Sequence, residues 1–419
     1  MGPTGITQPP ETERDGSNSA PNNKALGRTE LMLFALASAA VTANGYYIHP
    51  IIARVGEAFG VSDAMIGMVP AFNQIALAVG IFFLLPLGDR MSNRRLATVF
   101  LAAQTLALVG MALAQDFWLF VTASTVLGFF TIVPYLLPAY VSKRVAPSRL
   151  GYATAILTTG IILGILVARV SAGVIGEHLG WRWVYWIAAA IMLAMTILVP
   201  RLMQDDSRMQ EPTAPRQSYA GLLASIAPIA RDNPQILISG AIQALGFGVF
   251  LSVWMGLGLH LTSDTMGYGV DTVGYLALLA GINLAITPRL GGWADRIGPY
   301  RARRILSVIQ VLGVSLLLVF GHSLWLLIIP LLITSIAGPA TDVTNRMTFL
   351  NEAPAVRTRL MTVYIMLMFT GGGLASWAGT AAYDWAGWTG NAVLAIAMSL
   401  CVLCLAFLPQ PAQTPPDAP

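Results

Sequence analysis

One apolar run follows another along this chain, each close to the roughly 20 residues a helix needs to cross a bilayer. That pattern leaves few folds open. Inside hydrocarbon every backbone N–H and C=O must be paired within the protein, so only helix bundles and closed barrels can span. The runs are continuous rather than alternating in ten-residue pieces, which excludes the barrel. Twelve spans are expected, at Leu31–Ile52, Ile66–Leu87, Leu96–Ala114, Phe117–Tyr140, Tyr152–Ile175, Val184–Pro200, Ile236–Leu261, Val273–Pro288, Ile305–Phe320, Leu324–Asn345, Leu360–Ala382 and Thr389–Leu408. Composition agrees: charged residues make up 11% of the chain, against about 25% in a soluble domain. Cys401 and Cys404 form a C-x-x-C inside the last run, where they read as small hydrophobes on a membrane helix and not as a redox pair.

Residues 1–30 are polar and rich in Pro, Ser and Asn, and read as a disordered tail rather than a cleaved signal peptide; 409–419 form a second tail. If the N-terminus is inside, 21 of the 24 Lys and Arg residues fall on the tails and loops of one side, leaving Arg54 and Arg182 on the other and Arg169 within a span. This asymmetry matches the positive-inside rule. It predicts both ends cytoplasmic in a multi-pass inner-membrane protein, and it explains the formal charge of +4 without a nucleic-acid partner.

Three landmarks recur at nearly the same offset. Asp89-Arg90 and Asp295-Arg296 are 206 residues apart, Ala146-Pro147 and Ala353-Pro354 are 207 apart, and Gly180-Trp181 and Gly387-Trp388 are 207 apart. The expected organisation is two six-helix bundles, 31–200 and 235–408, joined by a cytoplasmic linker at 201–234. Such parallel repeats are found in secondary transporters, whose bundles rock about a site near the midplane.

The loops between paired spans carry PLGDRMSNRR, from Pro86, and GGWADRIGPYRARR, from Gly291. With these motifs, twice at the repeat offset, the chain resembles the major facilitator superfamily over Leu31 to Leu408. The second copy keeps Gly291, Ala294, Asp295, Arg296 and Gly298 in register; the first keeps Asp89, Arg90, Arg94 and Arg95 but has Leu85 and Ser92 where the family has glycines. The resemblance implies that Asp89 and Asp295 bridge loop arginines and a helix N-terminus of the other half, biasing the equilibrium between outward-open and inward-open states. The competing reading makes these residues solvated anchors.

The fifth span carries GIILGILVARVSAG, from Gly160, similar to the family's antiporter motif, with Arg169 at the position of its proline. Gly160, Gly164, Ala168 and Gly173 are expected to pack closely between the halves. An intramembrane arginine is costly. Arg169 therefore either binds an anionic group or a carboxylate, or snorkels to the outer surface. Asp342 is the acid placed inside a span, four residues before Arg346; it is either a proton relay or half of a helix-end ion pair. Because spans 1, 4, 7 and 10 line the cavity in this superfamily, Asn44, Tyr46, Tyr47, Tyr135, Gln243, Trp254 and Asn345 are candidate lining residues, with Gln74, Asn73 and Asn283 from spans 2 and 8. His49 and His260, near the outer ends of spans 1 and 7, read as interfacial residues.

The best reading is a monomeric, proton-coupled carrier that exports a small amphipathic or anionic molecule, with import by the same fold as the alternative. A receptor that binds without transport is a further possibility. An enzyme would need clustered His, Cys, Asp or Glu, and the four histidines are scattered singly. The chain has no phosphate-binding G-x-x-x-x-G-K-[ST] loop, and neither cofactor nor metal is expected.

Overall fold

The computed structural model describes residues 26–204, 219–349 and 354–408, and every element it describes is helical. The spans run Arg28–Phe59, Asp63–Gly88, Asn93–Leu113, Phe117–Ser142, Leu150–His178, Trp181–Leu202, Pro234–Leu261, Val270–Ile297, Pro299–Phe320 and Leu324–Met347. A last stretch, Pro354–Ala406, contains spans 11 and 12, which part where Ala386 and Gly387 leave helical geometry. Several helices extend a turn or more beyond the apolar runs, because polar residues at a bilayer surface can continue a helix that hydropathy alone would end.

The repeat landmarks have a backbone meaning. Gly180 and Gly387 both hold positive φ, at 94° and 58°, a region glycine enters without the penalty a Cβ imposes. Gly298 in the second charged loop does the same, with φ 88°. Ser92, its counterpart in the first loop, has φ −55°, so that turn takes a different course and does not require glycine.

Prolines explain the breaks within spans. Pro50 has no N–H to offer the Tyr46 carbonyl four residues back, and span 1 opens between its helices Arg28–Ala43 and Ile48–Phe59. Pro134 likewise releases the Phe130 carbonyl, and span 4 opens between Phe129 and Val133. Gln104 of span 3 donates its Nε2 to that carbonyl at 2.8 Å and accepts from Asn44 Nδ2 at 3.0 Å. Asn44, a candidate cavity residue, is thus turned into the first bundle.

Close helix approach divides differently from expectation. A Cβ on Gly160 or Gly164 would strike the backbone of Ala35 or Ala39 in span 1, so these two glycines pack within the first half and not between halves. Gly173 does meet the other half: a Cβ there would lie 2.8 Å from the Val270 carbonyl oxygen and 3.0 Å from Gly274. Gly258 meets the His49 backbone and Gly373 that of Ala71 in the same manner. The halves therefore touch backbone to backbone toward the face carrying Arg54 and Arg182, the arginine-poor face. Span 5 meets span 8 mainly through Val270–Ile282.

At the arginine-rich face, the linker region adds two short helices, Tyr219–Ala224 and Ile226–Asp232. Tyr219 donates its hydroxyl to the Phe83 carbonyl of span 2 at 2.6 Å, and the second helix packs on spans 7 and 11.

Replacing Gln104 with Leu leaves the Phe130 carbonyl without its side-chain donor and Asn44 without its acceptor. A buried polar group left unpaired costs about 1–3 kcal/mol. Gln104→Leu is therefore expected to lower the unfolding temperature in detergent well beyond Thr98→Ala, which removes only a surface bond to the Arg94 carbonyl.

Candidate functional site

Arg169 is 1% exposed, which overturns the snorkelling alternative. Span 5 carries it to the seam between the halves. Its guanidinium carbon lies 4.2 Å from the Trp254 ring centre, 4.7 Å from Phe250 and 5.4 Å from Tyr46. Its Nη2 is 3.0 Å from His49 Nδ1, and its Nε has no partner among the described residues. Desolvating a cation costs several kcal/mol, while a desolvated cation–π contact returns about 2 kcal/mol. Among the described residues no carboxylate pairs with it. The result is a cation held by ring faces and an imidazole from both halves, with donor capacity left over.

The aromatic contacts continue away from the arginine. Phe250 lies 5.9 Å from Phe247, Phe247 lies 5.7 Å from Phe369 of span 11, and Phe369 lies 6.1 Å from Tyr135 of span 4. Spacings of three and four residues put Phe247, Phe250 and Trp254 on one stripe of span 7. That signal was present in the sequence, but only Trp254 was singled out from it.

Asp342 and Arg346 form the i,i+4 pair that their spacing allows, with Arg346 Nε at 2.9 and 3.0 Å from the two carboxylate oxygens. Span 11 adds a partner: Tyr364 donates its hydroxyl to Asp342 Oδ1 at 2.6 Å. The carboxylate thus ties span 10 to span 11, and its side chain keeps 25% exposure.

Beside it lies a buried group that sequence reasoning placed on a loop. Arg303 sits inside span 9 with 0% exposure. Its Nη1 donates to Ser239 Oγ at 3.3 Å and Asn345 Oδ1 at 3.4 Å, while Nε and Nη2 lack partners. Asn345 in turn donates to Gln243 Oε1 at 3.4 Å. Asn345 and Gln243 therefore belong to a polar network within the second bundle. Helix register carries Arg303 inward, which a count of loop charges cannot reveal.

The remaining candidates are dispersed. Tyr46 and Tyr47 are buried at the break in span 1. Asn73 donates to the Ser124 carbonyl at 2.8 Å. Gln74 is buried where spans 1, 2 and 11 meet, near Gly45 and Gly373. In the first charged loop, Asp89 ends a short 3-10 turn, Leu85–Asp89, and its side chain lies outside the described residues. Arg90 sits over the Tyr219 ring at 5.8 Å, and Arg94 is exposed. In the second loop Asp295 and Arg296 are exposed, and Asp295 makes no ion pair among the described residues. On the arginine-poor face, Glu177 of span 5 pairs with Arg54 at 3.2 Å and accepts the Val270 N–H of span 8 at 3.0 Å. It is a tie between the halves that no motif announced.

Residues 34–354 match the model of the Major Facilitator Superfamily. The chain belongs to this superfamily. A probable transporter of Streptomyces coelicolor, SCO4007, is 30% identical over 95% of this chain and 90% of its own length. The uncharacterized transporter YgaY of Escherichia coli O157:H7 is 25% identical over 88% and 92%. The multidrug resistance protein MdtG of Serratia proteamaculans is 24% identical over 59% of each chain. Among solved structures, a bacterial homologue of the human lysosomal transporter Spinster, in an inward-facing and unoccupied conformation, aligns with TM-score 0.72 and 14% identity, covering 90% of this chain and 95% of that one. The protein is thus a multi-pass membrane transporter and not an enzyme.

Among the described residues Arg303 keeps two guanidinium nitrogens unpaired, so its bonds to Ser239 and Asn345 offset only part of the cost of burying it. Removing buried ionic groups in favour of well-packed apolar side chains is often neutral, or stabilising by about 1–4 kcal/mol, in the case of ion pairs. Arg303→Met is expected to unfold in detergent at or above the wild-type temperature while reducing transport. A clear drop in unfolding temperature would instead make Arg303 structural.

Proposed function

We propose that this transporter is a proton-coupled secondary carrier of small organic anions with an apolar or aromatic body, exporting them by alternating access. The observation that carries the reading is Arg169, a buried guanidinium ringed by Trp254, Phe250 and Tyr46 with no carboxylate partner among the described residues. An anionic group answers its charge, and an apolar body answers the rings. Asp342 is the proposed coupling residue. Protonation would weaken its hold on Arg346 and Tyr364, and with it the tie between spans 10 and 11.

The outward direction draws on the multidrug resistance relatives, matched over 59% of the chain in the Serratia case. A second reading, uptake by the same fold, is favoured by His49: an imidazole against the anion-binding guanidinium would load best from an acidic side. In either case the proposed setting is a monomer in the inner membrane with both ends cytoplasmic. In this reading the contacts on the arginine-poor face, including Glu177 to Val270, hold the halves together on the outer side. Asp89 and Asp295 are proposed to latch the opposite side when that face closes.

Flux of benzenesulfonate in liposomes under an imposed pH gradient tests this. Wild type is expected to show gradient-dependent flux. Arg169→Gln and Asp342→Asn are each expected to lower it about tenfold or more, the factor that 1.4 kcal/mol represents. No flux in wild type under either sign of gradient, or unchanged flux in both variants, removes the reading.

A further inference from the structure

We propose that His49 and Arg169 form one composite site in which the anion and a proton bind together, the proton on His49. The inference rests on the anion-carrier reading and specifies how its site is loaded; because anion and proton would travel together, it goes with the uptake direction of that reading.

A guanidinium has five N–H donors and no acceptor. At 3.0 Å from Arg169 Nη2, His49 Nδ1 must therefore be the acceptor, which assigns this imidazole as neutral with its hydrogen on Nε2. Nε2 is buried without a partner, and so is Arg169 Nε. Two unpaired donors beside a cation with no counter-charge make an anion-accepting set, and here one member, the imidazole, titrates near neutrality in water.

Protonation changes what the pair can do. With both ring nitrogens donating, Nδ1 can no longer accept from Arg169, and two positive charges stand about 3 Å apart. An anionic oxygen that takes donors from both side chains replaces the lost hydrogen bond and offsets the repulsion. Anion and proton then bind more tightly together than apart, and the coupling is reciprocal.

The surroundings leave His49 to Arg169. Tyr46, on the same span, lies with its ring centre 5.0 Å away, tilted at 51° to the imidazole. Span 7 presents Trp254 to the guanidinium and Gly258 to the His49 backbone. The charged groups on the other elements packed against Ile48–Phe59 are engaged elsewhere. Glu177 holds Arg54 and the Val270 N–H, Arg182 donates to the Ala114 carbonyl, Asp271 caps Thr272, and Asp63 faces Glu57 and Asp384. Because Gly258 meets His49 where the two halves touch, parting of the halves on the arginine-poor face uncovers the pair.

The test is calorimetric binding of benzenesulfonate, anionic at every pH used, to the full-length purified protein between pH 5.5 and 7.5. Buffers of different ionisation enthalpy report protons taken up, and benzyl alcohol serves as the neutral control. Wild type is expected to bind more tightly as pH falls, by up to about tenfold per pH unit, with close to one proton taken up per anion at the upper end of the range. His49→Asn keeps an acceptor for Arg169 but cannot charge. It is expected to bind at every pH more weakly than wild type does at pH 7.5, with no pH dependence and no proton uptake. Arg169→Gln should abolish binding, and Arg169→Lys should restore part of it. His49→Gln provides a second neutral variant should His49→Asn fold poorly. The proposal is overturned by pH-independent wild-type binding, by no binding, by tighter binding at high pH, or by proton uptake that persists in the His49 variants. Flux of benzenesulfonate in liposomes that survives a pH-independent binding result would remove this inference and leave the carrier reading standing.

Discussion

A polar group inside a bilayer must find its partner within the protein, and most of what distinguishes this transporter follows from that requirement. It forces the backbone into helices. It also sets the terms on which a helix can be broken: Pro134 releases the Phe130 carbonyl, and the break persists because Gln104 supplies the missing donor while receiving one from Asn44. Asn73 donates to Ser124, and Asn391 donates its Nδ2 to the Ser252 and Gly379 carbonyls, likewise within their own halves. Amides within spans here serve chiefly to hold helices together, consistent with the modest but real worth of interhelical hydrogen bonds in membranes.

Against that background the unsatisfied groups stand out. Arg169, His49 and Arg303 are buried and retain nitrogens without partners. The first two lie at the seam between the halves and the third beside the Asp342 and Tyr364 tie. A fully paired network would rigidify one state, whereas an incompletely paired one leaves donors available for a ligand or for the alternative state. The glycine contacts complement this. Gly173 with Gly274 and Gly258 with His49 let the two halves approach backbone to backbone.

Much of the fold was legible because hydrophobic runs, charge asymmetry and the repeat offset are properties of chain order. Even the departures from the family pattern carried information: serine at position 92 coincides with a turn that does not enter the left-handed region, while Gly298 occupies one that does. The site was less legible. Asn44, Gln243 and Asn345 are polar residues on the expected spans, but their rotation about the helix axis points them into bundle interiors. His49 looked interfacial and is the hydrogen-bond partner of the buried arginine. Rotations and partners depend on how several helices pack at once, and no single stretch of sequence encodes that.

By itself, then, the sequence determined a twelve-span, two-bundle transporter, because the lengths of apolar runs and the spacing of loop motifs are one-dimensional quantities that the bilayer reads directly. Only the tertiary structure decided that Arg169 is caged and not snorkelling, that Arg303 is interior and not on a loop, and that Glu177 joins the halves at their arginine-poor face. The physical reason is common to all three. A charged side chain costs too much to bury alone, so its meaning is set by what lies within about 4 Å of it, and those neighbours come from helices distant in the chain.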